Sequence, residues 1–194
     1  MKKINISRCL LLIISAVLFY IIVISITFVD DYLFSARLWK SISQTNVIIL
    51  NNKVSCMHML HFMGGLLIYL YGINLTLTTM KVNKAAQDKV SRKPNKLIED
   101  DVYSKRRHPM YTGFICVHVG MWFASCSHVG LLIGFIIITA ISINSIIEEK
   151  VELEKIFQED YILYKRNVPK RIFSKPLIII FIFILIVYIM GYIF

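Results

Sequence analysis

Charged residues divide this chain into blocks. Cys9–Val29 holds no charge and lies between Arg8 and the Asp30-Asp31 pair. Val54–Met80 is likewise uncharged, between Lys53 and Lys81. No Lys, Arg, Asp or Glu occurs between Arg107 and Glu148, and the last uncharged run is Pro176–Phe194. A helix crossing the hydrocarbon of a bilayer needs roughly 20 apolar residues. The first, second and fourth runs therefore each predict one span. His58, His61 and Asn74 place part of the second at an interface. The third run is long enough for two spans, and its polar cluster Ser125-Cys126-Ser127-His128 marks the turn. Pro109–Ala124 and Val129–Ile147 are thus expected as an antiparallel helical hairpin.

The expectation is an all-α polytopic membrane protein. One domain, 1–194, would carry five transmembrane helices near 9–29, 54–80, 109–124, 129–147 and 176–194. Lys2, Lys3 and Arg8 ahead of the first run also suit a signal peptide. That run exceeds an ordinary h-region, however, and no small-residue cleavage site precedes Asp30, so it reads as a span.

Composition supports this reading. The chain is 57% hydrophobic and 18% charged over 194 residues, against about a quarter charged in soluble domains. Intrinsic disorder is excluded and an ordinary soluble enzyme disfavoured. Cysteines 9, 56, 116 and 126 form neither a disulfide framework nor a CxxC pair. The net charge is +10, from 22 basic and 12 acidic residues. With the N-terminus inside, 19 basic residues fall on inside segments and 3 on the outside segment 30–53. The positive-inside rule favours this orientation and places the C-terminus outside.

The hairpin has a chemical consequence. Helices of about 16 and 19 residues rise roughly 24 and 28 Å, so both cross and return. Arg106-Arg107-His108-Pro109-Met110-Tyr111 then lies beside Glu148-Glu149 on the cytoplasmic face, although 40 positions separate them. Pro109 suits a first helical turn. Free N–H groups there favour an anion such as a carboxylate. Glu148 and Glu149 oppose the helix dipole, which calls for a partner. A ligand ammonium, a sulfonium or Arg107 would serve, and a plain ion pair between Arg107 and Glu148 is the bland alternative.

Other features have simpler explanations. His58 and His61 share a helix face, but Cys56 does not join both and no carboxylate lies in that turn, so metal binding is disfavoured. Cys116 and His118 read as buried packing or weak hydrogen-bonding groups. Gly65 and Gly72, and Gly113 and Gly120, recur at seven-residue spacing, which suits close helix contact. Basic residues in 81–107 suit anionic lipid, and Lys93-Pro94-Asn95 suggests a turn. Segment 148–168 reads as an amphipathic interfacial helix, with Tyr161 and Tyr164 in an interface belt.

Arg107-His108-Pro109-x-Tyr111-x-Gly113, the Glu148-Glu149 pair, then Leu153, Phe157, Tyr161, Tyr164 and Val168-Pro169 form an ordered set. It resembles the signature of the isoprenylcysteine carboxyl methyltransferase family, integral-membrane enzymes related to phospholipid methyltransferases. The resemblance covers about residues 85–172. It implies a cytoplasmic pocket in the C-terminal half that binds S-adenosylmethionine (SAM) without a Rossmann domain. The chain indeed lacks a GxGxxG motif. By position, the implied cofactor residues are Gln87, Asn95, Lys96, Leu97, Ile98, Tyr103, His108, Pro109, Met110, Tyr111 and Glu149. Arg107 and Glu148 are implied in catalysis, Arg107 by orienting an acceptor carboxylate.

The activity implied is O-methylation of a prenylated cysteine or similar lipophilic acceptor, releasing S-adenosylhomocysteine. No metal or nucleic acid is implied; the bilayer and a lipophilic substrate are. Where eukaryotic members carry acceptor-positioning arginines, this chain has Ile143-Asn144-Ser145-Ile146, and the chain is short, which together point to a prokaryotic-type member. Phospholipid N-methylation, a sterol-type NADPH reductase and a non-catalytic membrane scaffold are the alternatives.

Overall fold

The structure, a computed structural model, describes residues 6–34, 46–49, 52–86, 96–173 and 175–193. Helices α1 (Ile6–Phe34) and α2 (Cys56–Ala85) flank a short hairpin of β1 (Asn46–Ile49) and β2 (Asn52–Ser55). α3 (Pro109–Ser125), α4 (His128–Glu148), α5 (Glu154–Asn167) and α6 (Lys175–Ile193) follow. β1 and β2 are antiparallel, with Asn46 opposite Ser55 and Ile49 opposite Asn52. The described residues are helical as expected apart from this short hairpin, which apolar-run length could not reveal.

Helix limits and apolar-run limits differ for a physical reason. α1 continues through Asp30-Asp31 and α2 through Lys81-Val82-Asn83-Lys84. Charge ends a span in lipid, but a helix goes on while its residues tolerate the conformation. Residues Met59–Ala86 and Gly130–Asn167 each form a helical stretch long and apolar enough, by length and composition, to cross a membrane. Ile13–Ile26 is a shorter apolar helical stretch. Large apolar side chains face outward on four helices, including Ile13 on α1, Leu67 on α2, Phe135 on α4 and Phe183 on α6. Exposed apolar surface of this extent needs a nonaqueous surrounding.

The turn between α3 and α4 falls where the polar cluster suggests. Pro109 opens α3, and Cys126 closes it in the left-handed region (φ 50°, ψ 34°). Ser127 caps α4, its Oγ accepting from the Gly130 N–H at 3.0 Å. α3 nevertheless packs most extensively against α2, not α4. The glycines explain this preference. A Cβ on Gly65 would sit 2.5 Å from the Gly120 carbonyl oxygen, and one on Gly72 would sit 2.6 Å from that of Gly113. Only bare backbone permits so close an approach. Phe19 and Val23 of α1 pack with Tyr69 and Ala124 along this seam.

α4 does not stop at Glu148. It passes through a π-helical turn, Glu149–Leu153, into α5, which bends at Gln158 (φ 46°, ψ −119°). The chain then returns beside the start of α3. The Arg107 N–H donates to the Lys170 carbonyl at 3.0 Å, and the His108 N–H to that of Arg171 at 2.9 Å. Thr112 Oγ1 donates to the Ile172 carbonyl at 2.6 Å.

Candidate functional site

The start of α3, the end of α4 and the returning segment 168–172 meet in one junction. Arg107 Nε donates to Glu149 Oε1 at 2.9 Å, and Arg107 Nη1 donates to the Val168 carbonyl at 2.7 Å. His108 Nε2 lies 3.0 Å from the same Glu149 oxygen. Arg171 Nη2 stands 3.2 Å from Glu149 Oε2. Glu149 is 1% exposed. A carboxylate buried so deeply is stable only when paired and hydrogen-bonded. Arg107 therefore pairs with Glu149 rather than with Glu148.

Glu148 has a different environment. It lies one residue earlier and lines a cavity of about 320 Å³. Its Oε2 is buried 3.5 Å from His108 Nδ1. The wide π-helical turn after Glu148 separates the two neighbours, sending one carboxylate into the junction and leaving the other at the cavity wall.

Both glutamates lie beyond the apolar stretch that ends at Ile147. Burial alone would raise their pKa values, but His108 overcomes it, and both carboxyls are held below the usual range. Tyr111 assists His108 at Glu148, and Arg107 and Arg171 assist it at Glu149. Burial depresses the His108 imidazolium, yet bonds to Glu148 and Glu149 prevail and raise its pKa above 6.5. His108 also stacks on Tyr111, with ring centroids 5.3 Å apart.

Apolar and aromatic groups make up much of the remaining wall. Leu97, Ile98, Met110 and Tyr111 contribute from one side, and Leu153, Phe157, Tyr161 and Tyr164 from α5 and the turn before it. Tyr103 Oη donates to Asn83 Oδ1 at 2.6 Å, and Tyr164 Oη donates to the Tyr103 carbonyl at 2.8 Å. Burial, partly offset by Asn83, pushes the Tyr103 phenol up to about 12. The Tyr161 hydroxyl is buried beside this wall without a hydrogen bond, and burial raises its pKa as well.

The structure brings together most of the site residues expected from the sequence. Lys96, Leu97, Ile98, Tyr103, Arg107, His108, Met110, Tyr111 and Glu148 line the cavity. Pro109 and Glu149 are buried behind its wall. Gln87, Asn95 and the turn at 93–95 lie outside the described residues. Tyr161 and Tyr164, expected in an interface belt, are instead 1% and 2% exposed within the core of the site. Arg171 was missed, because nothing local marks a residue that acts on a carboxylate 22 positions away. Asn83 was missed for a similar reason, its signal being only that α2 outlasts the apolar run.

Elsewhere, His61 is buried with its ring 4.7 Å from that of Phe123. His118 Nδ1 bonds the Phe114 carbonyl at 2.8 Å. No cluster of metal-ligating side chains occurs among the described residues.

The family model for phospholipid methyltransferases matches residues 58–160, from the start of α2 into α5. The chain belongs to that family. It is a membrane methyltransferase, related to the isoprenylcysteine carboxyl methyltransferases. Neither a curated protein nor a solved structure matches it. The matched stretch holds every cavity-lining residue named above except Tyr161 and Tyr164.

Proposed function

We propose that this membrane methyltransferase uses SAM, bound in the cavity between α3, α4 and α5, to methylate the headgroup of a bilayer lipid. The observation that carries the reading is the contrast between adjacent glutamates. Glu149, 1% exposed, is paired with Arg107, His108 and Arg171 behind the wall, while Glu148, a third of its side chain exposed, lines the cavity. A cavity of about 320 Å³ lies within the range of small-molecule sites. Its donor set suits the cofactor: apolar and aromatic walls for a nucleoside, and a carboxylate for an ammonium.

When bound, SAM supplies a methyl group already activated on a sulfonium. The protein's share is alignment and dryness. In this reading Leu97 and Ile98 flank the adenine, His108 and the start of α3 hold the amino-acid end, and Glu148 takes its ammonium. The family resemblance assigns Gln87 and Asn95 to the cofactor as well. Glu149 acts as a positioning residue, fixing Arg107 and His108. Five spans, with the N-terminus and pocket cytoplasmic and the C-terminus outside, complete the arrangement. The 19 to 3 split of basic residues supports it.

The geometry favours an amine acceptor. Arg107 is already bonded through Nε to Glu149 and through Nη1 to the Val168 carbonyl, so much of its charge is neutralised before an acceptor carboxylate arrives. A neutral amine needs no cation to orient it. The carboxylate of a prenylated cysteine is the second reading, supported by the Arg107-His108-Pro109-x-Tyr111 signature. Purified protein incubated with methyl-labelled SAM and membrane lipid tests both. Label in an alkali-stable amine is expected; label in an alkali-labile ester selects the carboxylate. No transfer, with no binding of S-adenosylhomocysteine, rejects the function.

A further inference from the structure

Arg106 takes no part in the junction just described. It is 7% exposed, its Nη2 makes one long contact of 3.4 Å with Tyr71 Oη, and its Nη1 has no hydrogen-bond partner. Among the described residues, no carboxylate forms an ion pair with it. A buried guanidinium without a counter-charge carries a desolvation cost that only an anion or several good hydrogen bonds can offset. The residue after it shows the ordinary solution, since Arg107 is fully paired with Glu149.

Arg106 also lines a second cavity, of about 440 Å³, with Ser104 and Lys105 on one side and Asn167, Val168, Pro169 and Lys170 on the other. Among the described residues, three cations and no carboxylate line it. Its two walls are the segments joined by the bond from the Arg107 N–H to the Lys170 carbonyl, so it adjoins the methyl-transfer cavity but is lined by different residues. Ser104 and Asn167 add polar side chains. This donor set matches a phosphate oxyanion, which Arg and Lys recognise together.

We propose that this second cavity binds the phosphate of an anionic bilayer lipid, with Arg106 as its buried anchor and Lys105 and Lys170 at its rim. A lipid source fits better than free phosphate. The site lies at the start of α3, where the chain leaves the apolar block, and Tyr71, which contacts Arg106, lies on a helix apolar enough to cross a membrane. Basic pockets beside membrane helices favour anionic headgroups in this way. The lipid here is a resident ligand, not the methyl acceptor.

The test uses the full chain purified in neutral-lipid nanodiscs, with phosphatidylglycerol as the probe because it carries phosphate but no amine. Retained lipid is counted by native mass spectrometry. Wild-type protein is expected to hold phosphatidylglycerol over phosphatidylcholine by about tenfold. Lys105→Ala with Lys170→Ala, two exposed positions, should lower that preference several-fold, and Arg106→Gln should remove it. Tyr111→Ala, which alters only the first cavity, should leave it intact. Equal retention of the two lipids by wild type, an unchanged preference in the double-lysine variant, or displacement of the lipid by millimolar inorganic phosphate would overturn the proposal. The readout involves neither SAM nor methyl transfer, so its outcome is separable from that of the enzymatic reading.

Discussion

The α2–α3 seam and the polar junction hold the same helix by opposite means. Along the seam, Gly65, Gly72, Gly113 and Gly120 bring backbone against backbone with no room for a side chain. At the junction, Arg107, His108 and Arg171 surround a single buried carboxylate. One contact depends on removing atoms, the other on retaining charges. The seam should therefore fail when volume is added, and the junction when charge is lost.

The sharpest break is expected at the seam. A Cβ on Gly120 would stand 2.6 Å from the Gly65 carbonyl oxygen and 2.7 Å from the Tyr69 nitrogen. Both are backbone atoms that cannot swing aside. Gly120→Leu should cost about 3 kcal/mol or more and leave little monodisperse protein on size exclusion. Gly134 is the internal control, since nothing lies within 4 Å of its would-be Cβ. Gly134→Ala should keep full yield and gain up to about 1 kcal/mol of helix stability.

The next effect separates the two glutamates. Glu149→Gln strands Arg107 and His108 in a buried site and should cost about 3–5 kcal/mol, read as a lower thermal unfolding midpoint. Glu148→Gln should change stability by less than about 1 kcal/mol while weakening S-adenosylhomocysteine binding at least tenfold in calorimetry. If the two variants lose stability equally, the division of roles is wrong.

A smaller effect follows from titration. His108 has a raised pKa in the folded protein, so its contribution is fully present below about 6.5 and fades as pH rises through the higher folded value. Glu148 and Glu149 have lowered pKa values, so theirs is present above about 4.5 and is lost on further acidification. Thermal midpoints should thus fall on both sides of a weakly acidic to neutral plateau. His108→Gln should flatten the alkaline side. The smallest change is expected from Lys165→Ala, which removes a partly exposed pair with Glu154 at 2.6 Å; less than about 1 kcal/mol should be lost.

The glycine spacing was legible in the sequence as close helix contact, but not which helices it joins. The meeting of His108 with Glu148 and Glu149 was also legible, because a hairpin that crosses and returns must bring its ends together. Which glutamate faces the cavity was not, because that depends on a π-helical turn to which adjacent identical residues give no clue. Tyr161 and Tyr164 suited an interface belt equally well until the fold buried them.

The sequence by itself determined where the apolar helices lie, the position of the α3–α4 turn, and the residue set that marks a membrane methyltransferase. Lipid acts as a one-dimensional filter: a run of uncharged residues either suffices to cross it or does not. Only the tertiary structure decided that α3 rests chiefly on α2, that 107–108 pairs with 170–171, and that Arg107 is already engaged by Glu149. Those outcomes depend on distances between segments up to 63 residues apart, and competing partners of like charge are distinguishable only once the backbone has placed them.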